Sequence, residues 1–301
     1  MNQINVPAAI VPATTAPGLR LRDYAAAELA RAIACLAWRG GRLHTGVHQA
    51  RKSLRRTRAS LALGRPSLGP GARLIDRELR RINAQLSKLR DAHALVETLD
   101  LLLRKTGDAT ALSLLRRARR IAARARAQRA RTSLADDPGL QDKRALLLTL
   151  QAALPALSWD VVTETGVHRQ LQRSQLRASK TAARARETGD DEDWHRWRRR
   201  ERRFSQQHRA LGEGIALPPA AADHHKKLAV LLGEARDYVM LREHCGKRSM
   251  FAPADRASLR ALIEQGTARI RERVAKTLAL VNTGQPDAAQ PAPQAPHDPV
   301  A

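Results

Sequence analysis

GVHQARKSLRRTRASLAL, residues 46–63, carries two patterns at one period. Val47, Ala50, Leu54, Thr57 and Leu61 recur at three- and four-residue intervals and form a mostly apolar seam. His48, Arg51, Lys52, Arg55 and Arg58 follow the same spacing on another side. That period is helical, not the two-residue alternation of a half-buried strand. With Arg56, five cations follow the histidine and no acid lies among them. Such a helix repels itself unless something neutralises it. Taken alone, its basic side reads most simply as a solvated face.

The pattern returns. WHRWRRRERRFSQQHRAL, residues 194–211, aligns without a gap on residues 47–64. His195 falls on His48, Arg198 on Arg51, Arg199 on Lys52, Arg202 on Arg55 and Arg203 on Arg56. Trp194, Trp197, Phe204 and Leu211 continue the seam, and Glu201 and His208 depart from it. A second pair follows: RRINAQLSKLRDAHALVETL (80–99) aligns with KKLAVLLGEARDYVMLREHC (226–245). Arg80 and Arg81 fall on Lys226 and Lys227, Leu86 on Leu232, and Arg90-Asp91 on Arg236-Asp237. The histidine-to-aspartate separation is 43 residues in the first copy and 42 in the second. Two motifs repeated at matched separation indicate an internal duplication, about four helices per copy, related by a pseudo-twofold axis.

Helical stripes extend through most of the chain, over about 20–39, 46–63, 72–105, 109–132, 140–155, 167–187, 192–211, 221–245 and 254–281. The breaks carry the expected punctuation: GRPSLGPG at 64–71, DDPG at 136–139, ETGDDED at 187–193, GEGIALPPA at 212–220 and FAP at 251–253. The fold class is all-α. Residues 1–18 and 282–301, rich in Pro, Ala and Gln, read as disordered tails. The N-terminus lacks the basic start and apolar run of a signal peptide, and no stretch suffices for a membrane span. The two cysteines, Cys35 and Cys245, suggest a reducing compartment without disulfides. A cytoplasmic location is expected.

On these residues the chain resembles the CHAD family, the conserved histidine α-helical domain. The marks are the histidine-led basic helix, V-H-Q-A-R-K-S-L-R-R-T-R at 47–58, and a later L-G-x-x-R-D-like helix, each present twice. The second copy of the basic helix is looser, with Trp197 and Glu201 where aliphatic residues are usual; in the later helix it is the first copy's LSKLRD that lacks the glycine kept by LGEARD. The resemblance covers about 19–281, with copies at about 19–155 and 156–281. It implies two four-helix bundles around a basic central cavity or groove that binds inorganic polyphosphate, and localisation to polyphosphate granules. The glutamate-rich E-x-E-x-K signature of the triphosphatase domain that often accompanies CHAD is absent, so the resemblance is to a stand-alone member.

The charge agrees. The formal net charge is +25, and all but nine of the 54 cations are arginine, whose planar fork gives phosphate two parallel hydrogen bonds. An excess of that size points to a polyanionic partner. Aromatics make up only 3% of the chain, which suits a phosphate chain better than single-stranded nucleic acid, whose binders offer stacking platforms. The leading ligand residues are Arg51, Lys52, Arg55, Arg56, Arg198, Arg199, Arg202 and Arg203, since both copies keep them. His48 and His195 come next, read either as phosphate donors or as packing residues. Arg80, Arg81, Lys226 and Lys227 follow, supported by Lys88. From the basic run RRARRIAARARAQRAR (116–131), Arg116 and Arg120 are the candidates, against a solvated outer helix. Asp91 and Asp237 read as orienting or partly neutralising nearby arginines; the sharper alternative is a catalytic carboxylate. No metal-ligand cluster, phosphate loop or evident nucleophile is found, so non-catalytic binding without a cofactor or metal is expected. Non-specific nucleic-acid binding follows from charge alone and is the competing reading. Oligomeric state is not encoded in any of these features.

Overall fold

The computed structural model describes residues 16–212, 219–246 and 248–283. They form ten α-helices joined by short turns, with no strand among them. In chain order these are α1 (Pro17–Leu36), α2 (Leu43–Gly64), α3 (Gly69–Gln85), α4 (Ser87–Lys105), α5 (Ala109–Asp136), α6 (Gln141–Ala153), α7 (Glu164–Thr188), α8 (Asp191–Leu211), α9 (Pro219–His244) and α10 (Pro253–Thr283).

Local chemistry sets several ends. Pro17 opens α1, where its missing N–H costs nothing. Asp108 accepts from Ala111 N at 2.6 Å to cap α5, Thr163 caps α7, and Asp190 caps α8. Asp191, Glu192 and Asp193 fill the first turn of α8, complementing its dipole before the arginines begin. Gly189 ends α7 at φ 64°, in the left-handed region that glycine enters freely.

Three expected boundaries differ. The stripe over 72–105 is two helices, α3 and α4, parted at Leu86. Leu86 is fully buried, and with φ −72° and ψ −6° it breaks the α geometry while its side chain stays in the core. The tail expected over 1–18 already enters α1 at Pro17, and α10 reaches Thr283. The remainder of both tails, and residues 213–218 of the GEGIALPPA break, lie outside the described residues.

The seam of α2 is buried as its period requires: Val47, Ala50, Leu54, Thr57 and Leu61 are all inside. Gly46 lets α2 start against the end of α1, because a Cβ there would lie 2.3 Å from the Cys35 carbonyl oxygen. Two cores result. The first gathers α1, α2, α3 and α6 with Leu89, Trp159, Val167, Leu171 and Phe204. The second gathers the later part of α4 with α5, α9 and α10, and takes in Ala182, Ala185 and Trp197. Each basic helix of the repeat packs on the other, and α8 gives Phe204 to one core and Trp197 to the other. The division into cores therefore departs from the division into copies: α4 and α5, from the first copy, build the second core. Cys35 and Cys245 are free thiols, one in each core.

Candidate anion-binding site

Where α2, α3 and α8 meet, a cleft of about 480 Å³ opens. Eight arginines line it: Arg55 and Arg58 from α2, Arg80 from α3, and Arg196, Arg199, Arg200, Arg202 and Arg203 from α8. Ala59 and Gln206 complete the lining, which contains no acid and no aromatic ring. A second hollow of about 320 Å³ shares Arg80 and Arg203 and adds Arg65, Arg73 and Arg77. Its one acid, Asp76, is engaged by Arg58 at 2.8 Å and Arg80 at 3.5 Å. Together they make a continuous cationic tract.

Deeper between the helices, Arg51, Arg55, Arg90, Arg198 and Arg202 lie within one another's electrostatic reach. The Nε atoms of Arg51, Arg55 and Arg198 are buried and have no hydrogen-bond partner among the described residues. Burial, then the charges of Arg202, Arg51, Arg198 and Arg90, hold Arg55 well below its ordinary range. Burial, then Arg198, Arg51 and Arg199, push Arg202 down to about 9. Arg51 and Arg198 are depressed by burial as well, although Asp91 counters it at the first and Asp237 at the second. Arginine stays charged at neutral pH. These depressions therefore express the cost of gathering cations out of water with too little negative charge beside them. Asp237 is itself raised, because burial outweighs Arg198 and Arg90.

The histidines flank this cluster in corresponding ways. His48 is held down to about 4 by burial and then by Arg90, and His195 down to about 4 by burial and then by Arg236. Each leaves Nδ1 buried without a hydrogen-bond partner among the described residues. Arg90 pairs with Glu97 at 3.0 Å, and Arg236 pairs with Glu243 at 2.9 Å. This repeated Arg–Glu pair escaped the sequence reading, which took Arg90 and Arg236 only as alignment marks. The signal was available: Glu97 and Glu243 each follow the Arg-Asp dipeptide by the same number of residues. Arg58, Arg196 and Arg200 were missed for another reason, since strict matching between copies excluded cations that only one copy presents to the cleft.

Several expected ligands stand elsewhere. Arg56 is 5% exposed and bonds Glu28 Oε1 of α1 at 2.9 Å, so its charge is spent inside the core and it does not face the cleft. Lys52 lies near Arg56 and Arg209, with its pKa lowered first by burial. Arg81 is exposed and pairs with Glu78 at 2.8 Å. Lys226 is exposed beside Asp223 at 3.7 Å, and Lys227 is exposed; neither lines the cleft. Lys88 lines a separate pocket of about 280 Å³ with Asp91, Arg129 and His244. Arg116 and Arg120 are on the outer side of α5, whose other arginines include Arg117, paired with Asp255 at 2.7 Å, and Arg119, paired with Asp100. The structure thus brings together Arg51, Arg55, Arg198, Arg199, Arg202 and Arg203, with Arg80 at their edge. Among the described residues, no three His, Cys, Asp or Glu side chains converge as metal ligands do, and no helix is long and apolar enough to cross a membrane.

Comparison with known proteins bears on this arrangement. Two solved structures share the fold. The CHAD domain from the plant Ricinus communis matches with a TM-score of 0.64 at 19% identity, covering 96% of this chain and 97% of that one. PptA from Streptomyces chartreusis matches with a TM-score of 0.59 at 18% identity, covering 90% and 99%. At these identities the likeness is one of fold. Curated protein sequences yield no match. The CHAD domain family model matches residues 23–246, most of the chain, and the protein therefore belongs to the CHAD domain family.

Proposed function

We propose that the protein binds inorganic polyphosphate along the arginine cleft and leaves it chemically unchanged. The observation that carries this reading is the set of buried, unpartnered Nε atoms on Arg51, Arg55 and Arg198 beside a cleft lined by eight arginines and no acid. A buried donor left unpaired costs about 1–3 kcal/mol, and more when charged. A chain of phosphate oxyanions satisfies several such donors at once and relieves the repulsion between them. Polyphosphate presents only charge and oxygen, and the lining offers only charge and donors. Membership of the CHAD family supports the same ligand, and with it residence at polyphosphate granules.

The test is competition at one salt concentration: labelled polyphosphate against duplex DNA, RNA and ATP at about 0.15 M, where exposed charges are screened within about 8 Å. Polyphosphate is expected to bind at least about tenfold more tightly than duplex DNA, about 1.4 kcal/mol. Replacing Arg51, Arg55, Arg198 and Arg202 together by Gln removes the binding while helical content stays. No orthophosphate is released, with or without Mg²⁺. Equal affinity for duplex DNA, lost in parallel in that variant, overturns the reading in favour of nucleic acid. Catalytic release of orthophosphate that disappears in Asp91→Asn overturns the absence of chemistry.

A further inference from the structure

The two copies of the repeat act as controls for each other. In the first, Leu54, Leu61 and Leu79 occupy the core at 0–3% exposure. At the same register the second carries Glu201, His208 and His225, at 3–6%. A carboxylate and two imidazoles are costly where leucines suffice, so the fold itself does not require them. Glu201 Oε1 lies 2.6 Å from His225 Nδ1, and the rings of His208 and His225 both meet Phe204 edge-on. Glu201 and His225 line a pocket of about 190 Å³ among α7, α8, α9 and α10. The bond to Glu201 engages Nδ1 and leaves Nε2 as the ring nitrogen with no hydrogen-bond partner among the described residues. At the exposed end of the pocket are Arg186 and Ser179, whose side chains bond no other side chain among the described residues, and Leu228 and Leu278 supply an apolar wall.

We propose that this pocket, separate from the arginine cleft, binds a small aliphatic oxyanion. Arg186 neutralises the acid group, the hydrocarbon lies against Leu228 and Leu278, and the ring of His225, oriented by Glu201, meets the ligand at the buried end. The pocket volume suits a molecule of a few carbons, and with the Glu201 carboxylate engaged by His225, Arg186 at the opposite, exposed end is left to balance one acid group.

The experiment follows the histidine ring signals of the isotopically labelled full chain by NMR during titration. Butyrate and butyl phosphate are the two probes and tell a carboxylate from a phosphate ligand; 1-butanol lacks the acid and orthophosphate lacks the tail. A saturable shift at His225 is expected for at least one acid with a tail, with a midpoint in the range of about 1–10 mM. Neither control moves His225, whatever orthophosphate does at His48 and His195. Arg186→Gln weakens the response about tenfold. The double variant Glu201→Leu/His225→Leu, which installs the leucines of the first copy, melts at a higher temperature, keeps polyphosphate binding and is not stabilised further by the butyrate or butyl phosphate that raises the melting temperature of the unaltered chain. A His225 signal that no probe moves at about 50 mM overturns the proposal, as does an unchanged response in Arg186→Gln. Either result leaves the cleft reading standing, because the two sites report through different histidines.

Discussion

Arg56 and Arg203 occupy one register of the repeat and meet opposite fates. Behind Arg56 the first helix presents Glu28, and the pair closes at 2.9 Å inside the core. Arg203 instead lines a hollow with α3, where Asp76 is the opposing charge acting on it and Arg58, Arg200 and Arg65 lie around it. Breaking a buried pair by removing one partner leaves the other charge stranded, at a cost of about 3–5 kcal/mol. Arg56→Ala should therefore lower stability by that amount in urea unfolding, and Arg203→Ala by less than about 1 kcal/mol. The sign reverses for the cations that lack an acid. Arg202→Gln should raise the melting temperature in anion-free buffer by the equivalent of about 1 kcal/mol, and should weaken polyphosphate binding by about tenfold. A variant that loses both stability and binding would mean that Arg202 holds the helices together and that its depressed pKa marks no unmet charge. At this scale the sequence shows which residues are cationic and which recur. Whether a given arginine meets Glu28 or open space depends on a helix twenty or more residues away, and periodicity carries no trace of it.

The histidines are best understood through the two helices that carry them. On α2, His44 and His48, and on α8, His195 and His208, all are held down to about 4, burial being the first cause in each case. An unfolded histidine titrates near 6.5. Between about pH 6.5 and 4 the unfolded chain thus takes up protons that these folded rings refuse, and stability falls as pH falls. It is intact above that window, and the loss is complete below it. Allowing for partial exposure, each ring contributes on the order of 1 kcal/mol by pH 5. The predicted result is a melting temperature that drops steeply from pH 7 to 5 and drops less in the double variant His48→Gln/His195→Gln. A polyanion in the cleft favours the imidazolium, so bound polyphosphate should flatten the same profile and bind more tightly as pH falls. A melting temperature independent of pH over that range would show that the rings accept protons where they lie. Both helices were legible, because a seam and a basic face at one period leave little choice. The break at Leu86 was not: neither proline nor glycine marks it, and α9 runs unbroken through the corresponding Leu232.

The whole molecule is built from two copies whose cores do not respect the copy boundary. The duplication and the all-α class could be read from 46–63 and its echo at 194–211, because local spacing encodes both. Which helices share a core could not be read, because it depends on where α4 and α5 travel after the first copy's cluster is formed. They leave it and pack with α9 and α10, while Phe204 of α8 and Val167 and Leu171 of α7 return to the first core. A fragment ending near residue 155 would therefore expose Leu95, Leu99, Leu115 and Ala118, which the second copy covers, and would lack the Phe204 side of its own core. A fragment from 156 onward would lack the α4–α5 pair that shares the second core with Leu231, Leu232 and Ile263. Full burial of one such side chain contributes about 1.5–3 kcal/mol. Several exposed at once cost an amount comparable to the 5–15 kcal/mol by which a domain is normally stable. Neither residues 16–155 nor residues 156–283 should melt cooperatively alone. Mixed together, they should regain near-native helicity and a single transition, and the arginine cleft should regain polyphosphate binding, since α2 and α8 lie in different fragments. Circular dichroism of each half and of the mixture decides it: a sharp transition in either isolated half, near that of the full chain, would show that the copies are independent bundles and that the exchange of helices between cores adds little to their stability.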